Sequence, residues 1–430
     1  MNEREAYEFI DSLGGLGIVP GLDGIRELCA RLGNPQEGLK FVHIAGTNGK
    51  GSVSAFIAAA LRAAGYRVGR YISPVIYEYR EKIQVNDRYI TKKALCQGME
   101  RIKEACGGMV AGGLRHPTAF EIETALAFLY FQEKECEIVV LETGMGGLTD
   151  ATNIIENTLV AVLASISMDH MKFLGDSLEK IAVQKAGIIK KGCHVASLRQ
   201  EPAAMRVIEE RASEAGCGLT VADPAKAGHV RYGLERQRFD YGEYKGVEIS
   251  LAGRYQIDNA VLALEVLEAL AKKGFPVRED RLRKGFLEAR WPGRFTVIAR
   301  RPYFVADGAH NEDAAKRLAE SLQFYFAKKR IVYIMGMFRD KEYEKVIALT
   351  QGLASQIITV AAPGNPRALS SYELAQAVLK YHPDVTAADS LEEAVETAYL
   401  MAERDDVIVA FGSLAFLGRL MDIVASRNPK

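Results

Sequence analysis

The sequence predicts an α/β protein of two domains: a P-loop-bearing, doubly wound, mostly parallel sheet with appended antiparallel strands, then a smaller α/β domain. Three observations predict this. Short apolar runs alternate with helix-period segments through the first half of the 430 residues. The glycine-rich stretch "HIAGTNGKGSV" (43–53) breaks the first of those runs and leads into a helical segment. The alternation starts afresh after "ARWPGRF" (289–295).

Taken in order, "FVHIA" (41–45) is a strand, "SVSAFIAAALRAAG" (52–65) a helix and "YRVGRYI" (66–72) a second strand. "AFEIETALAFLYFQEKEC" and "EIVVLE" repeat the pattern, and "TLVAVLASIS" and "HVASL" add strands. Residues 229–251 change to period-two alternation around "YGEYKG", which predicts antiparallel strands appended to that sheet. "YQIDNAVLALEVLEALAKKG" returns to a helix closed by glycine. "YFVADG", "RIVYIMG", "QIITVAA" and "DVIVAFG" are the strands of the second domain, which sets the domains at 1–295 and 296–430. "GGMVAGG" (107–113) reads as a mobile loop.

Composition narrows the partners. Lys+Arg and Asp+Glu both number 55, so no long-range field favours nucleic acid or an anionic membrane, and small molecules are expected. The charged N-terminus and the lack of an apolar run near the length of a membrane span predict a cytoplasmic protein. Six cysteines without a CxxC pair read as reduced thiols.

Glycine beside lysine after a strand suits phosphate, because glycines let successive N–H groups curl around an anion and the lysine adds charge. Gly46, Thr47, Asn48, Gly49, Lys50, Gly51 and Ser52 form this cradle. Ile44 stands where the standard pattern begins with glycine, and Gly51 follows Lys50 where Ser or Thr is usual, so a structural glycine turn is the competing reading. In a parallel sheet ligands collect beyond the carboxyl ends of the strands. Ser73, Glu142 and the pair Asp169 and His170 fall there, and hydroxyl, carboxylate and imidazole suit a magnesium–nucleotide site. Singly each has a plain alternative as turn residue, cap or loop histidine. Lys185 reads as a solvated helix lysine, although a buried lysine can add carbon dioxide and present a carbamate to a metal. Asp307 and His310 lie where a strand gives way to a helix, and an Asp cap beside a polar histidine explains them equally well. Ser413 reads as a helix cap.

These motifs, with "SPVIYEYREKIQVN", "HPTAFEIETALAF", "LETGMGGLTDATN", "SISMDHMKFLGDSLEKIAVQKAGIIK", "LAGRYQIDNA", "MGMFRDKEY" and "FGSLAFLG", resemble from end to end the folylpolyglutamate synthase and dihydrofolate synthase branch of the Mur ligase superfamily. The resemblance implies an ATP-dependent amide ligase whose C-terminal glutamate-ligase domain is Rossmann-like. A substrate carboxylate attacks the γ-phosphate, and the amine of L-glutamate displaces phosphate from the acyl phosphate. It implies Ser73, Glu142 and His170 as ligands of magnesium, at two sites, and a carbamoylated Lys185. Asn259, Arg294 and Asp307 then contact ATP, while His310 and Ser413 receive glutamate. Lys50, Lys185 and His310 are the residues of catalysis, and Thr118, Ala119, Phe120, Glu121, Thr149, Asp150 and Ala151 face folate or dihydropteroate. A monomer is expected. Val75, Leu148 and Lys82 depart from the family's usual histidine and two arginines, and neither leucine nor lysine reproduces a bidentate guanidinium. The competing readings are a Mur-type peptide ligase for another carboxylate and a nucleotide-switch binding protein.

Overall fold

The computed structural model describes residues 1–17 and 19–427. By contact the chain divides into two compact units: residues 1–74, 79–227 and 258–289 form the first, and residues 75–78, 228–257 and 290–430 the second. This is more interleaved than a single cut at 295/296.

The first unit holds an eight-stranded sheet built from β1 (Phe41–Ala45), β2 (Val68–Tyr71), β3 (Ile83–Val85), β4 (Arg88–Tyr89), β5 (Ile138–Glu142), β6 (Thr158–Leu163), β7 (His194–Leu198) and β8 (Gly218–Ala222). Their order is β4-β3-β2-β5-β1-β6-β7-β8. From β2 to β8 all pairings are parallel, and β3 and β4 are the antiparallel additions at one edge. Central strands such as β1 and β5 are buried at every residue, as expected of a sheet covered on both faces.

Two helices pack this sheet with unusual intimacy. The helix Lys50–Ala63 is buried from Gly51 to Leu61, and Gly285 of the helix Glu279–Glu288 lies so close that a β-carbon there would stand 2.5 Å from Ala60 Cα. The helix Ala119–Glu133 is buried from Glu121 to Phe131, so its apolar residues occupy all sides rather than one stripe.

The second unit contains two sheets. Strands β9 (Gly228–Arg231), β10 (Gln237–Tyr241) and β11 (Tyr244–Ile249) form an antiparallel sheet of their own, so the strands at 229–251 do not extend the eight-stranded sheet as expected. Period-two patterning specifies strands but carries no information about which sheet edge they join. Gln237 anchors this small sheet by donating to the carbonyls of Leu251 and Gly253 at 2.7 and 2.9 Å. The other sheet comprises β12 (Thr296–Arg300), β13 (Tyr303–Asp307), β14 (Ile331–Met335), β15 (Gln356–Thr359), β16 (Val385–Ala387) and β17 (Val407–Phe411), ordered β12-β13-β17-β14-β15-β16. Only β12 is antiparallel.

The segment 107–113 is another departure. Residues 107–111 continue the helix Lys92–Ala111, because Met109 and Cys106 supply buried positions at helical spacing that outweigh the local glycines. Among the described residues no helix is long and apolar enough to cross a membrane.

Candidate active site

Sheet order decides which polar residues meet in the first unit. Strands β2, β5, β1 and β6 are consecutive neighbours, and their carboxyl ends carry Ser73, Glu142, the 46–52 loop and Asp169–His170 respectively. The register sets Glu142 opposite Ile44, and Thr143 N–H donates to Ile44 O at 3.0 Å. Lys50 Nζ consequently lies 3.9 Å from Glu142 Oε1, with the two side chains 15% and 4% exposed.

The loop itself is held by backbone bonds. Thr47 N–H donates to Ser165 O at 2.7 Å, Thr47 Oγ1 donates to Ser167 O at 2.9 Å and accepts from Ser167 N–H at 3.0 Å. Lys50 Nζ folds back to Gly46 O at 3.1 Å. Gly49 caps the helix with φ +87°, the left-handed region that glycine tolerates. A β-carbon at Gly49 would also stand 2.5 Å from Asn259 Oδ1, so the structure brings Asn259 against the loop.

Arg70 was not legible as a site residue. It lies buried in β2, donating to Ser54 Oγ at 2.9 Å and to Gly51 O at 3.0 Å, and so ties the first turn of the loop's helix to the sheet. Burial lowers its guanidinium to about 10, with Asp87 and Glu142 opposing, which leaves it charged at neutral pH. A charged residue inside the apolar run "YRVGRYI" was the available signal.

Lys185, read as a solvated lysine, is in fact 3% exposed. Its helix, Leu178–Ala186, is clamped to the 147–153 segment: Leu148 N–H donates to Gln184 O at 2.7 Å. Asn153 Nδ2 donates to Leu148 O and Gly187 O, each at 3.1 Å. A β-carbon at Gly147 would meet Lys185 O at 2.9 Å. His170 adopts φ +52° at the start of the short helix Met171–Leu174, its Nε2 3.8 Å from Asp169 Oδ2.

Among the described residues no three His, Cys, Asp or Glu side chains gather to hold a metal by themselves. The candidate donor set is mixed: a buried carboxylate, a hydroxyl and an imidazole. It fits a hard divalent cation such as magnesium, which takes one or two protein oxygens and shares the rest of its shell with phosphate and water. Lys185 fits a carbamate in one respect, the withdrawal of its side chain from solvent.

The residues expected at the pterin have local structural partners. Thr118 caps its helix by accepting from Glu121 N–H at 3.3 Å, and Glu121 Oε2 accepts from Thr118 N–H at 2.7 Å. Arg115 grips Glu121 with two bonds of 2.6 and 2.8 Å. Phe120 lies over Gly144, where a β-carbon would meet its ring at 2.5 Å. Asp150 accepts from Met145 N–H at 2.9 Å and from Thr152 Oγ1 at 2.5 Å, and burial pushes its carboxyl up. Thr152 Oγ1 also meets His43 Nε2 at 2.8 Å. Ala119 is half-buried at the start of that helix, Ala151 is buried, and Thr149 is exposed. Lys82, one of the departures, pairs with Glu123 at 2.5 Å and lies 5.0 Å from the centre of the Tyr79 ring.

In the second unit, Asp307 and Phe411 are paired at the ends of neighbouring parallel strands β13 and β17, so His310 and Ser413 follow adjacent strand ends. Asp307 is no helix cap. It is buried and accepts from Phe295 N–H at 2.7 Å, Ala309 N–H at 2.8 Å and Tyr255 Oη at 2.9 Å. Burial raises its carboxyl, opposed by the nearby Arg294 guanidinium. Asn311 supplies the cap, accepting from Ala314 N–H at 2.9 Å. His310 Nδ1 meets Gly308 O at 2.8 Å, and Ser413 Oγ accepts from Ala415 N–H at 3.2 Å.

Comparison with known proteins shows the family. Residues 44–267 match the Mur ligase middle domain and residues 293–414 the Mur ligase glutamate ligase domain. A dihydrofolate synthase/folylpolyglutamate synthase of Bacillus subtilis is 36% identical over 82% of this chain and 84% of its own. The folylpolyglutamate synthase of Lacticaseibacillus casei is 34% identical over 96% of each. The Mycobacterium tuberculosis folylpolyglutamate synthase complexed with ADP and AMPPCP superposes with TM-score 0.90, at 28% identity, over 100% of this chain and 99% of that one. An Escherichia coli structure in complex with DHPP and ADP superposes with TM-score 0.85, at 28% identity, over 98% of each chain.

Proposed function

Because the chain belongs to the folylpolyglutamate synthase and dihydrofolate synthase family of Mur ligases, we propose roles for its own residues in the family's reaction. The protein is an ATP-dependent ligase that joins L-glutamate to folates through an amide bond. A carboxylate is a poor electrophile until phosphorylation turns one of its oxygens into a leaving group, so the demand on the protein is to neutralise and orient phosphate.

The 46–52 loop binds the β- and γ-phosphates, with its N–H groups and the helix N-terminus facing the anion and Lys50 leaving its carbonyl partners to meet charge. Ser73, Glu142 and His170 would hold magnesium, which would supply neutralisation of the developing negative charge. Arg70 holds the first turn of the loop's helix in place. Lys185, as its carbamate, would supply a further carboxylate-like donor. Asn259, Arg294 and Asp307 contact the nucleotide, and His310 and Ser413 bind glutamate. His310 takes a proton from the glutamate ammonium as general base. Thr118 to Glu121 and Thr149 to Ala151 contact the pterin-bearing substrate. We place the enzyme in the cytoplasm as a monomer, with 1–295 as the nucleotide-binding domain and 296–430 as the glutamate-ligase domain.

The placement of the loop, Ser73, Glu142 and His170 on four neighbouring strand ends carries this reading. The substrate is a tetrahydrofolate to be extended, with dihydropteroate as a second acceptor; Leu148 in place of arginine and the Lys82–Glu123 pair bear on that choice. Product analysis with dihydropteroate and tetrahydrofolate side by side, each with ATP, magnesium and glutamate, tests it. Glutamylated product from at least tetrahydrofolate is expected. Amide product from neither, with product from another carboxylate, would assign the chain a different substrate.

A further inference from the structure

Two of the six cysteines meet. Cys193 Sγ and Cys217 Sγ lie 3.6 Å apart although 24 residues separate them in the chain. Topology puts them there: Cys193 immediately precedes β7, Cys217 immediately precedes β8, and these strands pair in parallel from His194 opposite Gly218. The cysteines therefore occupy the next step of the same register. Neighbouring strands run about 4.8 Å apart, which falls within the roughly 4.4–6.8 Å Cα separation that a disulfide spans. Shortening the sulfur separation to about 2.05 Å asks for rotation about the side-chain bonds and little of the backbone.

Their environments differ in a way that orders the chemistry. Cys193 is buried and Cys217 partly exposed, and both are free thiols. Cys217 S–H donates to Lys190 O at 3.1 Å, so its sulfur is oriented at the rim of the turn that leads into β7. Burial pushes the Cys193 thiol up to about 12. The partly exposed cysteine is thus the one a reagent reaches, and the buried one is its neighbour at contact distance.

We propose that Cys193 and Cys217 form a reversible intrachain disulfide by exchange with a small-molecule disulfide. Cys217, as thiolate, attacks one sulfur of the reagent, forms a mixed disulfide and releases one thiolate. Cys193 then gives up its proton and attacks Cys217 Sγ, expelling the second thiolate. Two protein thiols are oxidised by two electrons, the reagent is reduced to two thiols, and the two protons end on them. The second step is intramolecular, so proximity offsets the weak ionisation of Cys193.

The test is incubation of the full-length folded protein with glutathione disulfide at neutral pH, acid trapping, digestion and mass spectrometry. The expected result is a peptide pair joined through Cys193 and Cys217, two hydrogens lighter than the reduced pair and separated again by dithiothreitol. Cys193→Ser should instead retain a mixed disulfide on Cys217. The partly exposed Cys96 reports that the reagent is active. The proposal is overturned if Cys96 is modified while Cys193 and Cys217 stay free. It is equally overturned if Cys217 of the unaltered protein keeps its mixed disulfide, or if the link forms only in urea.

Discussion

Lys50 Nζ and Glu142 Oε1 lie 3.9 Å apart at the carboxyl ends of adjacent parallel strands, both side chains largely withdrawn from solvent. A cation next to a buried carboxylate at the mouth of the loop proposed to bind phosphate sets the charge balance there. Lys50→Ala should lower kcat/KM for ATP by about 100-fold or more, since phosphate charge then lacks its fixed counterion. Steady-state ADP release measures the loss, and an unchanged circular dichroism spectrum assigns it to the site rather than the fold.

Gly49 faces two separate constraints, a positive φ of 87° and the 2.5 Å approach of Asn259 Oδ1. Gly49→Ala should cost about 1–2 kcal/mol of stability from backbone strain alone, beyond the clash. Adding Asn259→Ala relieves the clash and leaves the strain, so the double variant should recover only part of the melting temperature. It should recover none of the affinity for a non-hydrolysable ATP analogue if Asn259 contacts the nucleotide.

Lys185 is buried where the sequence suggested a solvated lysine. Protein equilibrated with 13C-bicarbonate should show a carbamate resonance that disappears in Lys185→Ala. That variant should lose at least about 100-fold in kcat, the scale of one lost electrostatic group, and short carboxylic acids should restore part of it. Full activity of the variant would remove the carbamate from the account.

His43 is fully buried on β1, and burial, with Lys190 adding to it, lowers its imidazole from 6.5 to about 3. The sign follows from proton counting: between those values the unfolded chain binds the proton and the folded one does not. The stability tied to neutral His43 is complete above about pH 6.5 and is lost progressively as pH falls toward about 3. Melting temperatures between pH 7 and 5, above the ordinary carboxylate range, should fall more steeply for the unaltered protein than for His43→Gln. Equal slopes would contradict the assignment.

Much of the first unit was legible because each apolar run ended in a polar residue at a strand's carboxyl end: Glu142 after "EIVVL", His170 after "TLVAVLASIS". Parallel topology then aligned those ends without further information. Side-chain reach was not legible. Tyr255 donates to Asp307, 52 residues distant, and Asn259 faces Gly49 across 210 positions; no local pattern encodes such pairs. Arg70 was hidden because burial of a guanidinium needs two acceptors, Ser54 and Gly51 O, that only the folded sheet provides. The 229–251 strands were recognised as strands yet assigned to the wrong sheet, since alternation fixes faces and leaves edges unspecified.

The central claim is that the substrate's carboxylate oxygen attacks the γ-phosphate held at the 46–52 loop. Tetrahydrofolate labelled with 18O in its terminal carboxylate, turned over with ATP and glutamate, tests it most directly. The account predicts one 18O atom in the inorganic phosphate released for each amide formed at a fully labelled carboxylate. Unlabelled phosphate, with amide formed at the normal rate, would contradict it.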